Sequence, residues 1–530
     1  MRRALLFATL LLVSSGAESG QEFSVLHIRA VVVDAAGKPT PVPRHALLIS
    51  DEPPTTAPRR LFTAIDGTAN VRLRPGNYAI ESDQPVVFYG KAYQWTQRIA
   101  IVAGRDAVLE LTADNAEIEV AASTTASAPP DVDPSFLQPQ WQDSVVAIWT
   151  PSTHASGFLI DAKGLIATSQ RAMGTATSVE VQFSPDVKVA ASVLVADAMR
   201  DVAVLWIDPS GAAPVRPVPL GCAQPAKPTV VDGQDLFTIG APLRGLKRMT
   251  PATVSRVEPR AIVSDLRLAS GSEGGPVFTA GGSVVGITST ASRIVRIEEA
   301  CEVVAAAEKK MKDAAPPSGT HLPVEPIRPF PESALKDAVK RRAGSLSPYQ
   351  ISSSDFDLAF ITPVHVYGAQ YQSEQQRGRE SALVRPVFDF GNWSDYLSDV
   401  PPVLLVRVTP KMVERFWTTV ARGAARTQGV DLPPITHAAS GFGGMRAFCG
   451  DAEVTPVHIF TLEQRLYGKE AVDEGLYVFD PGALGPHCGA VTLVLYSEKE
   501  PAKGDTRLVD RRVLDQIWRD FAPYRDVPIN

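Results

Sequence analysis

The stretch Ser264-Asp265-Leu266-Arg267-Leu268-Ala269-Ser270-Gly271-Ser272-Glu273-Gly274-Gly275-Pro276-Val277-Phe278 constrains the fold more than any other part of the chain. Paired glycines before a proline let a backbone turn tightly and aim its N–H groups inward, which is how an oxyanion hole is made. The residue ahead of that glycine pair is Glu273. The turn therefore carries a carboxylate just before its paired glycines.

At 530 residues the chain is too long for one core, and its length suggests roughly three to four domains. Hydrophobic content of 45% against 21% charged residues belongs to a globular chain, not a disordered one. The net charge of -6 is small for this size and gives no electrostatic case for nucleic acid. With Pro 44 and Gly 38 the chain has the turns an all-β architecture needs. Arg2-Arg3, the apolar run Ala4 to Val13 and Ser15-Gly16-Ala17 read as a secretory signal, residues 1–17, cleaved near Glu18. The apolar run is about half of the ~20 residues a spanning helix needs. No later stretch is long and apolar enough to span, so a secreted or periplasmic protein without a transmembrane segment is expected. Four cysteines allow three full pairings, and nearest neighbours give Cys222–Cys301 and Cys449–Cys488. None forms a CxxC pair or clusters with histidine in the sequence, so no metal and no cofactor is expected.

The chain divides by composition and period. Residues 22–112 alternate in period two, as in Val25-Leu26-His27-Ile28-Arg29-Ala30, with breaks at Gly, Pro and Asp, and read as a small β-sandwich. Residues 113–135 and 316–334 lack periodicity and read as linkers, the second rich in proline. Between them, residues 136–315 carry strand-length runs and close on helix-forming residues from Arg296 to Lys312. Residues 335–530 mix strands, such as Val403–Val408 and Ala490–Tyr496, with helices expected at Leu335–Arg342, Lys411–Arg426 and Asp510–Phe521. The fold class is thus mainly β and multidomain, with a C-terminal α+β region.

Three collinear motifs carry a resemblance. They are Ala155-Ser156-Gly157-Phe158, then Asp197-Ala198-Met199-Arg200-Asp201-Val202-Ala203-Val204-Leu205, then Gly233-Gln234-Asp235-Leu236-Phe237-Thr238-Ile239-Gly240-Ala241-Pro242. With the Gly271–Pro276 loop they resemble the trypsin-like serine proteases, in particular the bacterial Deg/Htr branch, over roughly 150 residues. The resemblance implies a double β-barrel for residues 136–315. The N-terminal pattern of Asp34, Gly37-Lys38-Pro39 and Leu73-Arg74-Pro75-Gly76-Asn77-Tyr78 resembles a carboxypeptidase regulatory-like domain. No carboxylate-binding loop of the PDZ kind that usually partners a Deg/Htr protease is present in the C-terminal region.

Serine proteolysis needs a serine, a histidine to take its proton and an aspartate to orient the histidine. The family pattern puts these at Glu273, Arg171 and Asp201, so only the aspartate survives. Arg171 stays protonated and cannot act as a base near neutrality, and the residual oxyanion loop keeps Gly271 and Gly274. Arg171, Asp201 and Glu273 are expected to form a charge-assisted network. Ser270 and Ser272 flank the nucleophile position but on a tight turn are aimed elsewhere. His154 is expected to lie too far back to replace the base, and His365, His437, His458 and His487 read as structural. The expected function is an exported protease homologue without hydrolysis, binding a peptide or protein partner in its former cleft. An active serine-type endopeptidase with a non-standard site and a cell-envelope structural or adhesion protein are the alternatives.

Overall fold

The computed structural model describes residues 23–33, 37–120, 134–212, 215–222, 230–243, 245–342, 347–376, 393–414, 416–427, 436–466 and 470–525. The expected signal sequence and the centre of the first expected linker lie outside the described residues. The chain forms two compact units, Met1–Gln140 and Trp141–Asn530.

In the first unit, period-two alternation becomes alternation of burial along Ser24–Val33. That strand pairs in parallel with Ala107–Leu111 and antiparallel with Thr68–Leu73 and Pro39–Pro41. A second sheet runs Arg59–Phe62, Ala46–Asp51, Gly76–Ser82, Thr96–Ile101. Leu26, Ile28, Leu47, Ile80 and Trp95 from the two sheets share one core, which makes a β-sandwich. The unit extends past residue 112: Glu117–Val120 pairs with Lys91–Gln94, and Phe136 is buried against Phe88. Both ends of the expected 113–135 linker are therefore structured.

The second unit opens with two closed six-stranded barrels. The first closes in the order Val145–Trp149, His154–Leu159, Leu165–Thr168, Val202–Trp206, Val187–Asp197, Ser178–Ser184. The second closes as Asp235–Gly240, Arg248–Val257, Ala261–Ser264, Arg293–Arg296, Val284–Thr290, Pro276–Thr279. Leu165–Thr168, Val202–Trp206 and Val284–Thr290 are buried on nearly every residue, as barrel strands with a covered outside are, whereas Arg248–Val257 is mostly exposed or half-buried. The helix Ile297–Met311 covers part of that outside and is tied to the loop after Gly221 by the Cys222–Cys301 disulfide.

The C-terminal region holds a five-stranded sheet in the order Tyr349–Ser352, Phe356–Ile361, Leu404–Pro410, Glu470–Phe479, His458–Leu466. A four-stranded sheet runs Ala452–Val454, Phe442–Cys449, Val491–Ser497, Asp505–Leu508. Arg511–Asp520 matches its expected helix to within a residue at each end, and Glu332–Arg341 begins three residues before the expected Leu335 and ends one before Arg342. The expected Lys411–Arg426 helix begins only at Phe416. The Lys411 amide donates to Asp355 and its carbonyl accepts from Ala439, which holds Lys411 in extended backbone, and Met412–Glu414 pairs with Thr436–Ala438.

The Pro-rich stretch expected as a linker is fastened at both ends. Leu322 N–H donates to the Lys188 carbonyl at 2.7 Å and His321 bridges Val189. Farther on, Phe330 is buried against Phe521 and Tyr524, whose hydroxyl donates to the Arg328 carbonyl. Proline supplies no N–H, so only the non-proline residues can donate the strap's backbone hydrogen bonds.

The barrels and the C-terminal region share an interface centred on Trp149. Its ring packs on His458 at 4.1 Å and faces Tyr396 and Phe460 edge-on or tilted. Beside it, the buried Lys188 ammonium bonds Glu180 at 2.9 Å and the Val457 carbonyl. His458 reaches Glu180 with Nδ1 at 3.1 Å and Glu325 with Nε2 at 3.0 Å. Burial pushes the Glu180 carboxyl up, but the His458 hydrogen bond and the Lys188 charge outweigh it and hold it below the ordinary value. Burial likewise pulls the Lys188 ammonium down, with Glu180 opposing.

Two outcomes follow from this interface. Trp149→Ala removes a large buried ring and is expected to lower unfolding stability by about 3–5 kcal/mol, read from urea denaturation. Glu180, with its folded pKa below the usual 4.5, contributes stability that is present above that value and lost as pH falls through the folded one. Urea midpoints measured from about pH 6 to about pH 3 should therefore fall less steeply in Glu180→Gln than in the unaltered protein. Equal slopes would show that Glu180 is not coupled to folding.

Candidate functional site

The site lies where the two barrels meet, and Ser156 joins them. This residue is fully buried on His154–Leu159. Its N–H donates to the Glu273 carbonyl at 2.7 Å, and its carbonyl accepts from Thr168 Oγ1 at 2.7 Å. Its hydroxyl accepts from the Ala241 N–H and donates to the Gly271 carbonyl, both at 2.9 Å.

These bonds shape the loop that Glu273 occupies. Gly271 and Gly274 have φ of +82° and +90°, a region where side chains are strained. A Cβ on Gly274 would also lie 2.2 Å from the Ser156 carbonyl oxygen and 2.3 Å from Thr168 Oγ1. The Gly274 and Gly275 N–H groups donate to the Thr288 carbonyl and hydroxyl. Those of Gly271 and Glu273 bond no described residue.

Arg171 sits on the short helix Gln170–Met173, exposed to solvent. Asp201 lies in the turn before Val202–Trp206 at φ +52°, a conformation aspartate tolerates. Its Oδ1 accepts from Ser169 Oγ and from the Arg171 N–H, both at 2.8 Å, and its Oδ2 accepts from Ser289 Oγ. The expected charge network does not form. The Arg171 guanidinium pairs with neither Asp201 nor Glu273 among the described residues, because hydroxyls and a backbone amide already fill the Asp201 oxygens.

His154 corrects a second expectation. It lies against the loop, so that a Cβ on Gly271 would meet its Nδ1 at 2.2 Å. His154 and Ser270 share a hollow of about 290 Å³, counting its open mouth, with Trp149, Ser152, Thr153, Leu243 and Tyr396. Tyr396 comes from the C-terminal region and forms one wall. Ser272 is buried instead, packed on Gly240. Asp201 bonds Ser169, Arg171 and Ser289, so the hollow that Ser270 and His154 line lies apart from the hydrogen bonds of Asp201.

The remaining histidines divide. His365 is buried with Nδ1 on Thr362, and burial, assisted by Arg342, lowers its pKa to about 3. His458 belongs to the interface above, and His437 lies on Thr436–Ala438. His487 corrects the reading that no cysteine clusters with histidine. Both expected disulfides are formed, and His487 Nε2 stands 3.9 Å from Cys449 Sγ and 3.5 Å from Cys488 Sγ. The adjacency of His487 and Cys488 in the chain was the available signal. The role of Ser289 was unassigned although its strand was evident, and nothing in the sequence marked Tyr396.

Part of the chain that holds this site is similar in sequence to known proteins. The family model described as trypsin-like peptidase domain matches residues 155–287. The chain is 30% identical over 154 residues to Protease Do-like 1, chloroplastic, of Arabidopsis thaliana, covering 26% of this chain and 33% of that protein. It is 30% identical over 143 residues to a probable periplasmic serine endoprotease DegP-like of Ectopseudomonas mendocina (strain ymp), covering 25% of this chain and 28% of that protein. The chain thus spans about a third or less of the curated relatives it matches. A serine endoprotease from Yersinia pestis aligns in structure with TM-score 0.29 and 22% identity, over 33% of this chain and 66% of that one.

Since Asp201 accepts three hydrogen bonds, Asp201→Ala leaves their donors unmatched and should cost about 2 kcal/mol in urea unfolding. Asp201→Asn, which keeps one acceptor and the local turn preference, should cost clearly less.

Proposed function

Because residues 155–287 are a trypsin-like peptidase domain of the Deg/Htr family, we propose that this chain is an exported member of that family that has lost peptide hydrolysis. In this reading it binds an extended peptide or protein segment in its former cleft. The observation that carries the reading is the pairing of an intact loop with the wrong side chains. The Gly271 and Glu273 N–H groups are unengaged, as a cleft that receives a carbonyl needs, while Glu273 and Arg171 occupy the nucleophile and base positions. A carboxylate attack would give a labile anhydride with no base for the next step. Export rests on the Arg2-Arg3 and Ala4–Val13 pattern, and no described helix is long and apolar enough to cross a membrane.

A second reading is favoured by the hollow: Ser270 and His154 acting as a serine–histidine pair without an aspartate. Hydrolysis of casein and of a fluorogenic peptide library by the mature chain separates the two. The leading reading expects rates equal to the buffer control. Turnover abolished by Ser270→Ala and by His154→Ala would establish the second reading in its place.

The loss of chemistry should also be reversible in kind. Arg171→His with Glu273→Ser restores a base and a nucleophile beside Asp201. The double variant is expected to hydrolyse peptide at least about a hundredfold faster than either single variant. A double variant as inert as the singles would mean that the cleft no longer positions a substrate. For binding, Ser270→Trp should fill the hollow and weaken capture of extended apolar peptides by about tenfold or more, measured by fluorescence anisotropy.

A further inference from the structure

The second disulfide lies far in sequence from the protease-like loop and has a neighbour the first lacks among the described residues. Cys449 ends the strand Phe442–Cys449, and Cys488 ends the 3-10 turn Pro486–Cys488 that also carries His487. The three donor atoms, two Sγ and one Nε2, all lie within 4.8 Å of one another. A tetrahedral ion with bonds of about 2.3 Å to sulfur and about 2.0 Å to nitrogen places sulfur and nitrogen about 3.5 Å apart. His487 Nε2 already stands 3.5 Å from Cys488 Sγ and 3.9 Å from Cys449 Sγ. The imidazole is thus positioned for coordination, whereas a disulfide by itself has no use for it.

The scaffold also holds the three groups together without the disulfide. Phe442–Cys449 pairs with Val491–Ser497 in continuous register from Gly444 to Cys449, ending at Cys449 opposite Val491. The Gly450 N–H donates to the Ala490 carbonyl at 2.8 Å, and the Ala490 N–H donates to the Cys488 carbonyl at 2.8 Å. The His487 ring rests on Trp518 at 5.2 Å. Breaking the sulfur–sulfur bond therefore frees two side chains and leaves their backbones in place. Rotation about the side chains is enough to separate the sulfurs to the about 3.8 Å that a shared tetrahedral ion requires.

We propose that Cys449, Cys488 and His487 form a redox-gated site for a soft divalent metal ion of the zinc class, closed by the disulfide and opened by a dithiol. In the opening step the dithiol is oxidised to its own disulfide, and Cys449 and Cys488 each gain one electron and one proton. In the binding step the two thiols release two protons as their thiolates coordinate the ion, and neutral His487 supplies the third ligand. Two thiolates and an imidazole select zinc-like ions over magnesium or calcium. His487 is solvent-exposed, so the fourth position opens to water.

The test uses the full chain with Cys222→Ser and Cys301→Ser, so that only one cysteine pair remains, and the probes are Zn²⁺ and Co²⁺. The oxidised protein should bind neither ion. After reduction and removal of the reductant, it should bind one equivalent of Zn²⁺, and Co²⁺ should give a thiolate charge-transfer band in the near ultraviolet. His487→Ala should weaken Zn²⁺ by at least about tenfold, the lower range for loss of even an outer-sphere partner and so a floor for a direct ligand. His487→Ala should still re-form the Cys449–Cys488 disulfide, which shows that the fold survives. Zinc should also slow alkylation of both thiols in the unaltered pair and much less in His487→Ala. No zinc uptake after reduction, or uptake unchanged by His487→Ala, would overturn the proposal and leave the pair a structural disulfide only.

Discussion

Three of the four hydrogen bonds of Ser156, to Glu273, Gly271 and Ala241, hold the two barrels to each other and fix the loop between Gly271 and Gly275. A buried hydrogen bond contributes only about 1 kcal/mol net, but leaving its polar groups unpaired costs more. The loop's partners are carbonyls, amides and hydroxyls of the frame, and the Glu273 side chain is none of them. The shape of the loop is thereby independent of the chemistry displayed on it. The turn's backbone bonds therefore do not depend on which side chain stands at position 273.

Much of the central fold was readable because barrels write themselves into sequence. Closed six-stranded barrels need short apolar strands, and their tight crossings need glycines such as Gly157, which a Cβ would drive into Ile148 at 2.6 Å. The C-terminal region was less readable for a physical reason. The Lys411 backbone is claimed by Asp355 and Ala439, partners about 56 and 28 residues away that no local periodicity reveals. The proline-rich strap looked like spacer because composition registers missing N–H groups and not the few residues that anchor it. At the site, the assignment of Arg171 and Glu273 to triad positions rests on residue identity and motif order, whereas the distance from His154 to Gly271 depends on how the barrel closes.

The interface around Trp149 places buried Lys188 and His458 beside half-buried Glu180 and Glu325. Such groups seldom add net stability relative to apolar packing, since the cost of leaving water offsets the attraction. What they add is discrimination. A sheet edge docked one residue out of register would strand the Lys188 ammonium from the Val457 carbonyl and leave two carboxylates facing each other. Apolar contacts of Trp149 supply adhesion, and the charges select one arrangement.

The strap from Pro316 to Pro331 changes what counts as a module in this chain. Composition puts a boundary at residue 315, yet Lys188, on the barrel side of that boundary, draws its carbonyl partner from Val457 and its strap contact from Leu322. Excising the barrels would leave an ammonium and a carboxylate facing solvent on a surface built to be covered, beside an uncovered tryptophan. The protease-like barrels are therefore not a cassette to be lifted into another protein, and expression, recombination and duplication would have to carry residues 141–530 together.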